Sequence, residues 1–89
     1  MAIERQAEVR NREGLHFRPI MRIVDLVARF EAEIKVANGD RVANIRSPLE
    51  LLMLTATQGT QLRLIADGAD AEQALAALVE LIENGLVEE

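Results

Sequence analysis

Asn38-Gly39 restricts what this chain can fold into more than any other pair of residues in it. Asn and Gly both accept the positive φ of a tight reversal. The pair lies between Glu33–Val36, where Ile34 and Val36 alternate with charged residues, and Arg41–Asn44. The pattern predicts an antiparallel hairpin with one apolar face. That face needs cover, and an 89-residue chain has to find it within one small core.

The cover is legible as amphipathic runs. From Phe17, the apolar residues Ile20, Ile23, Val24, Val27 and Phe30 recur at helical spacing and predict a helix to about Arg29. Pro19 is compatible with that helix only in its first turn, where no intrahelical donor is lost. A second stripe, Ala74, Leu75, Leu78, Leu81 and Ile82, predicts a helix capped by Asp70 with Gln73 and stopped by Gly85. Ser47-Pro48-Leu49-Glu50 reads as a capping box with proline at the first helical position, opening a short helix to about Ala56. Two more alternating runs, Ile3–Val9 and Gln61–Ala66, supply strands, and Asp67-Gly68 turns the chain out of the second. The order β-α-β-β-α-β-α predicts an α+β two-layer sandwich in a single domain, residues 1–89. Phe17 and Phe30 are the only aromatic residues, so Leu, Ile, Val and Ala must fill the interior.

The one histidine, His16, stands where the first helix begins, between Gly14 and Pro19. A lone histidine more often serves as a surface or capping residue. Three local features point elsewhere: the glycine turn before it, the helix start after it, and Arg18 within reach. Backbone N–H groups and the positive end of the helix dipole converge at such a start and favour an anion. A guanidinium at Arg18 can hold phosphate oxygens bidentately. An imidazole beside a phosphate cradle predicts a histidine that carries a phosphoryl group, with Arg18 stabilising it. Arg12 and Asn11 are weaker candidates, and Gly14 reads as a conformational requirement.

The stretch G-L-H-F-R-P (Gly14 to Pro19) resembles the signature G-[LI]-H-A-R-P of HPr, the histidine-containing phosphocarrier of the phosphoenolpyruvate-dependent phosphotransferase system. The resemblance continues through N-G-D-R-V-A-N-I-R-S (Asn38 to Ser47) and A-D-G-A-D-A-E-Q-A-L (Ala66 to Leu75). The chain departs from the family at Phe17, usually alanine, at Ile20, usually a smaller residue, and at Pro48-Leu49-Glu50, usually Ile-Met-Gly. The resemblance implies an open-faced sandwich with four antiparallel strands in the order 1-4-2-3 and three helices on one face. It implies that His16 accepts a phosphoryl group on Nδ1 from Enzyme I, charged by phosphoenolpyruvate, and passes it to an Enzyme IIA or a regulatory protein in sugar transport. Such a protein is a carrier rather than an enzyme and needs no cofactor. A regulatory binding module on the same fold, docking a transcription factor or kinase, is the alternative that the departures favour. A histidine-dependent hydrolase lacks a visible acid-base set.

Ser47 aligns by this resemblance with the residue that HPr kinase phosphorylates in many Gram-positive bacteria. Its local sequence predicts an N-cap instead, and the Glu50 carboxylate would oppose a phosphate there. In the short helix, Leu51 and Leu54 can face the sheet while Leu49, Leu52 and Met53 point elsewhere. With Phe17 and Ile20 these three are expected to form an apolar docking patch beside His16, although a core position for Met53 stays open.

Charge narrows the partners. The net charge is −5, with six Arg against four acids in residues 1–29 and seven acids without Lys or Arg from Asp67 onward. Arg10, Arg12, Arg18 and Arg22 therefore gather a local positive field around His16. An acidic chain without an interleaved basic-aromatic surface does not read as a nucleic-acid binder. Without cysteine, and with one histidine, thiolate and His-cluster metal sites are excluded. The N-terminus lacks a signal-peptide apolar region, and no run reaches membrane-spanning length, so a cytoplasmic protein is expected.

Overall fold

The periodicities resolve into β1 (Ala2–Glu8), α1 (Phe17–Val27), β2 (Glu33–Asn38), β3 (Arg41–Asn44), α2 (Pro48–Leu52), β4 (Gln61–Asp67) and α3 (Ala71–Glu83). The structure is a computed structural model and describes residues 1–86. All four strands join one antiparallel sheet in the order β1-β4-β2-β3. The pairs Ala7↔Leu62, Leu64↔Val36 and Ala66↔Ile34 line up the apolar rows, and every one of these residues is buried. Over that face lie Ile20, Ile23 and Val27 of α1, Leu51 of α2, and Ala74, Leu75, Leu78 and Ile82 of α3. The other face carries Glu4, Arg63, Lys35 and Asn44, all exposed, as polar positions in an open antiparallel sheet should be.

The hairpin forms where Asn38-Gly39 requires it, but not around that pair. Asn38 pairs with Arg41, so Gly39 and Asp40 are the central residues, and Gly39 takes the positive φ of 61°. This register sets Val36 against Ala43 and lets Ile45 N–H donate to Ile34 O at 3.1 Å, with Ala43 and Ile45 buried and Val42 left on the outer face. Asn38 and Arg41 end the inner row. They donate to Leu54 O at 2.9 Å and to Met53 O at 3.0 Å, satisfying carbonyls just past the end of α2. That helix stops at Leu52 rather than near Ala56, and Thr55 turns the chain with φ 51°.

Other helix ends are also closed by distant side chains. α1 ends at Val27, two residues short of Arg29, and Arg46 donates to Val27 O, Phe30 O and Ala32 O at 3.0, 2.7 and 3.1 Å. Asp70 occupies the N-cap of α3 but makes no capping bond; its carboxylate instead accepts from the Glu31 and Ala32 amides, both at 2.9 Å. The α1–β2 connection gains two partners at the expense of the predicted cap. Gly85 does stop α3. With φ 79° it donates to Ile82 O at 3.1 Å, and Leu86 donates to Leu81 O at 3.0 Å, the paired bonds of a Schellman ending. Leu86 is buried by this turn, and the turn brings the end of α3 alongside the start of α1. Among the described residues, no helix is long and apolar enough to cross a membrane.

Candidate functional site

The site begins with a glycine that lets two loops touch. Gly14 has φ 73°, and a Cβ there would collide with the Ala56 carbonyl. Without one, the turn lies flat on the β4-side loop: Leu15 N–H donates to Ala56 O at 3.0 Å and Leu15 is buried. Asn11 closes the turn from both ends, accepting from Gly14 N–H at 3.1 Å and donating from Nδ2 to Gly14 O at 2.5 Å. Anchored this way, the chain delivers His16 to the N-cap of α1 in an extended conformation, φ −118° and ψ −177°.

His16 caps with its backbone only. Its carbonyl accepts from Ile20 N–H at 3.0 Å, while its side chain makes no capping hydrogen bond. The imidazole is half-exposed, and Nε2 lies 3.1 Å from Glu13 Oε1. Pro19 sits at the third helical position and is buried, so the missing N–H falls in the turn that has no intrahelical acceptor. The first turn of α1 contains no acidic residue to compete with an incoming anion.

An open cleft of about 490 Å³ gathers His16, Glu13, Arg12, Arg18, Arg22 and Leu86. Arg18 and Arg22, one turn apart, also border a larger groove of about 720 Å³ between α1 and α3, so they form the ridge between the two. Arg10 does not join this group. It turns away toward Glu83 at 3.6 Å and Glu8 at 3.9 Å, because Glu83 also accepts the Glu8 amide at the sheet edge. Glu13 was not singled out from sequence, although its place three residues before the histidine, across a glycine turn, is the signal that marks it.

The apolar surface divides as helix geometry dictates. Phe17 is 65% exposed, Leu49 68%, Met53 62% and Leu52 41%. Ile20, expected with them, is fully buried: three residues after Phe17 and three before Ile23, it falls on the face of α1 that meets the sheet. Phe17, Pro48, Leu49, Leu52 and Ser47 enclose a shallow recess of about 310 Å³. Met53 borders a neighbouring recess with Val42, an exposed residue on the outer row of β3.

Ser47 is half-buried at the N-cap of α2, and its Oγ accepts from Glu50 N–H at 3.2 Å. The reciprocal half of the predicted capping box is absent. Glu50 reaches to Asn44 N–H at 2.8 Å, and the Ser47 amide donates to Asn44 O at 3.0 Å. Asn44 thus takes both partners of the missing half, the Glu50 carboxylate and the Ser47 amide.

The family model described as "PTS HPr component phosphorylation site" matches residues 3–84. Over its whole length the chain is similar to "Phosphocarrier protein NPr" of Escherichia coli K12, 34% identical over 90 residues with both chains fully covered. It is 40% identical over 83 residues to "Multiphosphoryl transfer protein" of Haemophilus influenzae, an alignment covering 90% of this chain and 17% of that protein. Among solved structures, HPr-C-His from Thermoanaerobacter tengcongensis superposes with a TM-score of 0.90 at 36% identity, covering 98% of each chain. A phosphocarrier protein HPr from Bacillus anthracis superposes with a TM-score of 0.86 at 27% identity, covering 91% of this chain and 96% of that one.

Proposed function

The chain belongs to the HPr family of phosphotransferase-system components, and from that premise we propose that His16 is its phosphoryl acceptor and Arg18 the residue that steadies the transferred group. HPr-type proteins are phosphocarriers, not catalysts in the usual sense. In this reading the donor is Enzyme I charged by phosphoenolpyruvate, and the acceptor is a histidine or cysteine on an Enzyme IIA or a regulatory protein, all in the cytoplasm. One observation supports the assignment above the rest: His16 occupies a helix N-cap without spending its side chain on the cap. A neutral imidazole nitrogen can then attack phosphorus while the donor's bond breaks and its electron pair departs. The helix dipole and the Arg18 guanidinium meet the phosphoryl oxygens as they arrive. Phe17, Leu49, Leu52 and Met53 supply the contact surface for both exchanges, since partners must bring their own reactive residues to an open cleft.

The deciding experiment is incubation with Enzyme I and radiolabelled phosphoenolpyruvate, followed by a test of acid lability. Acid-labile label on the wild type and none on His16→Ala is the expected result; label on the variant would sink the assignment. The exposed apolar patch also favours a second reading, a regulatory docking module that needs no phosphoryl transfer. Under that reading wild-type protein binds a regulator equally well with and without label.

A further inference from the structure

We propose that Glu13 is a positioning residue for His16: it holds the imidazole proton on Nε2, so that Nδ1 carries the lone pair that takes up the phosphoryl group. The inference rests on the reading of His16 as the acceptor and adds a residue to it. Glu13 Oε1 lies 3.1 Å from His16 Nε2. A negative carboxylate that close to Nε2 favours the proton on that nitrogen electrostatically, and a neutral imidazole with its proton there has a bare Nδ1. The helix end does not compete for the ring, because the His16 side chain makes no capping bond. Among the described residues that line the cleft, Glu13 is the one carboxylate; Arg12, Arg18 and Arg22 are cations that cannot accept a ring N–H.

The placement is built into the turn. Gly14, with its positive φ, reverses the chain directly after Glu13, and the Asn11–Gly14 and Leu15–Ala56 bonds fix that reversal against the neighbouring loop. Glu13 and His16, three residues apart, are thereby folded onto each other.

The chemistry balances without moving a proton. In the forward step the Nδ1 lone pair attacks phosphorus, the N–P bond forms, and the electron pair of the broken bond leaves with the donor. The ring now bears positive charge and retains Nε2–H, which the Glu13 carboxylate faces. In the return step the acceptor's nucleophile attacks phosphorus, and the N–P electrons go back to Nδ1. The leaving group is a neutral imidazole. With Nε2 unprotonated it would be an imidazolate, a far poorer one. Glu13 keeps the carrier in the form that can give its cargo up.

Water reaches both side chains, which are 43% and 74% exposed, so the effect is modest. A contact of this kind corresponds to about a two- to fivefold change. Nitrogen-15 NMR of the imidazole in unphosphorylated protein reads the tautomer, and single-turnover transfer from Enzyme I and to an acceptor reads the consequence. Glu13→Ala is expected to raise the ratio of Nδ1–H to Nε2–H by about that factor and to slow transfer by no more than it, since the rate follows the Nε2–H fraction. Glu13→Gln, which keeps the length of the side chain but loses its charge, is expected to shift the tautomer as Glu13→Ala does, and a wild-type tautomer ratio in Glu13→Gln also overturns the proposal. A tautomer ratio or a transfer rate that Glu13→Ala leaves unchanged overturns the proposal. Failure of the wild type to take up label overturns the reading of His16 instead, and the NMR measurement on the unmodified ring tells the two failures apart.

Discussion

The starts of α1 and α2 are built alike and used differently. Each has proline in its first turn, and each places a potential phosphoryl acceptor at the N-cap, His16 in one and Ser47 in the other. Ser47 spends its oxygen on the Glu50 amide, and Glu50 is itself committed to Asn44. His16 leaves capping to its backbone, and its turn is held by Asn11, Gly14 and Ala56. The side chain proposed to react is thereby relieved of structural work. α1 also runs eleven residues and α2 only five, so the longer helix presents the fuller dipole to an anion. An N-cap is free for chemistry when other residues hold the helix start together.

Substitutions at four positions test this contrast, in descending order of effect. His16→Ala should abolish phosphoenolpyruvate-dependent labelling while lowering the stability by less than about 1 kcal/mol, since the side chain makes no capping bond and its contact with Glu13 is exposed. A large loss of stability would mean that the imidazole does structural work after all. Next, Arg18→Ala should slow single-turnover transfer by about ten- to a hundredfold, the span of one charged hydrogen bond worth about 1.5–3 kcal/mol. Its fold should be hardly affected, because Arg18 is exposed. Wild-type kinetics in that variant would reduce Arg18 to a solvated helix residue.

At the other helix the ranking reverses. Ser47→Ala should cost about 0.5–2 kcal/mol in chemical denaturation while transfer from His16 proceeds at its usual rate, and Ser47→Asp should keep most of the stability because Asp also caps. Slow transfer in Ser47→Ala would erase the division of labour between the two caps. Last, Glu50→Gln should cost under about 1 kcal/mol, since it keeps an acceptor for Asn44 and removes only an exposed charge. If that charge is what keeps a kinase from Ser47, the same variant should be the better substrate in an ATP assay with HPr kinase. Efficient phosphorylation of the wild type at Ser47 would show that the Pro48-Leu49-Glu50 departure is no barrier.

Much of this arrangement is legible in the chain because it is local. The rows Leu62, Leu64, Ala66 and Ile34, Val36 follow from alternation, and all five residues are buried. The stripe of α3 and its stop at Gly85 follow from 3.6-residue spacing and a positive φ. His16 at the start of α1 follows from Gly14 and Pro19, neither of which fits elsewhere in a helix. The strand order 1-4-2-3 came from family resemblance, not from spacing, and the sheet has that order. Ile20 departs from the family pattern without joining the surface patch expected from that departure, because its spacing from Ile23 and Val27 assigns it to the core.

What the sequence determined by itself is therefore the set of elements, their order, and the residue presented at each helix start. Those depend on φ preferences and on neighbours three or four positions away. Tertiary structure decided where the polar side chains went. Asp70 left its own helix for amides 38 and 39 positions earlier, Arg46 reached carbonyls 14 to 19 positions back, and Glu83 took the Glu8 amide across 75 positions. The same holds for the hairpin: a turn centred on Asn38-Gly39 would slip the pairing by two residues and keep the same faces, and the folded sheet instead pairs Asn38 with Arg41 and sets Ile45 beside Ile34. A buried amide or carbonyl must find a partner somewhere in the folded molecule. Which side chain is close enough to serve is known only after the layers have packed.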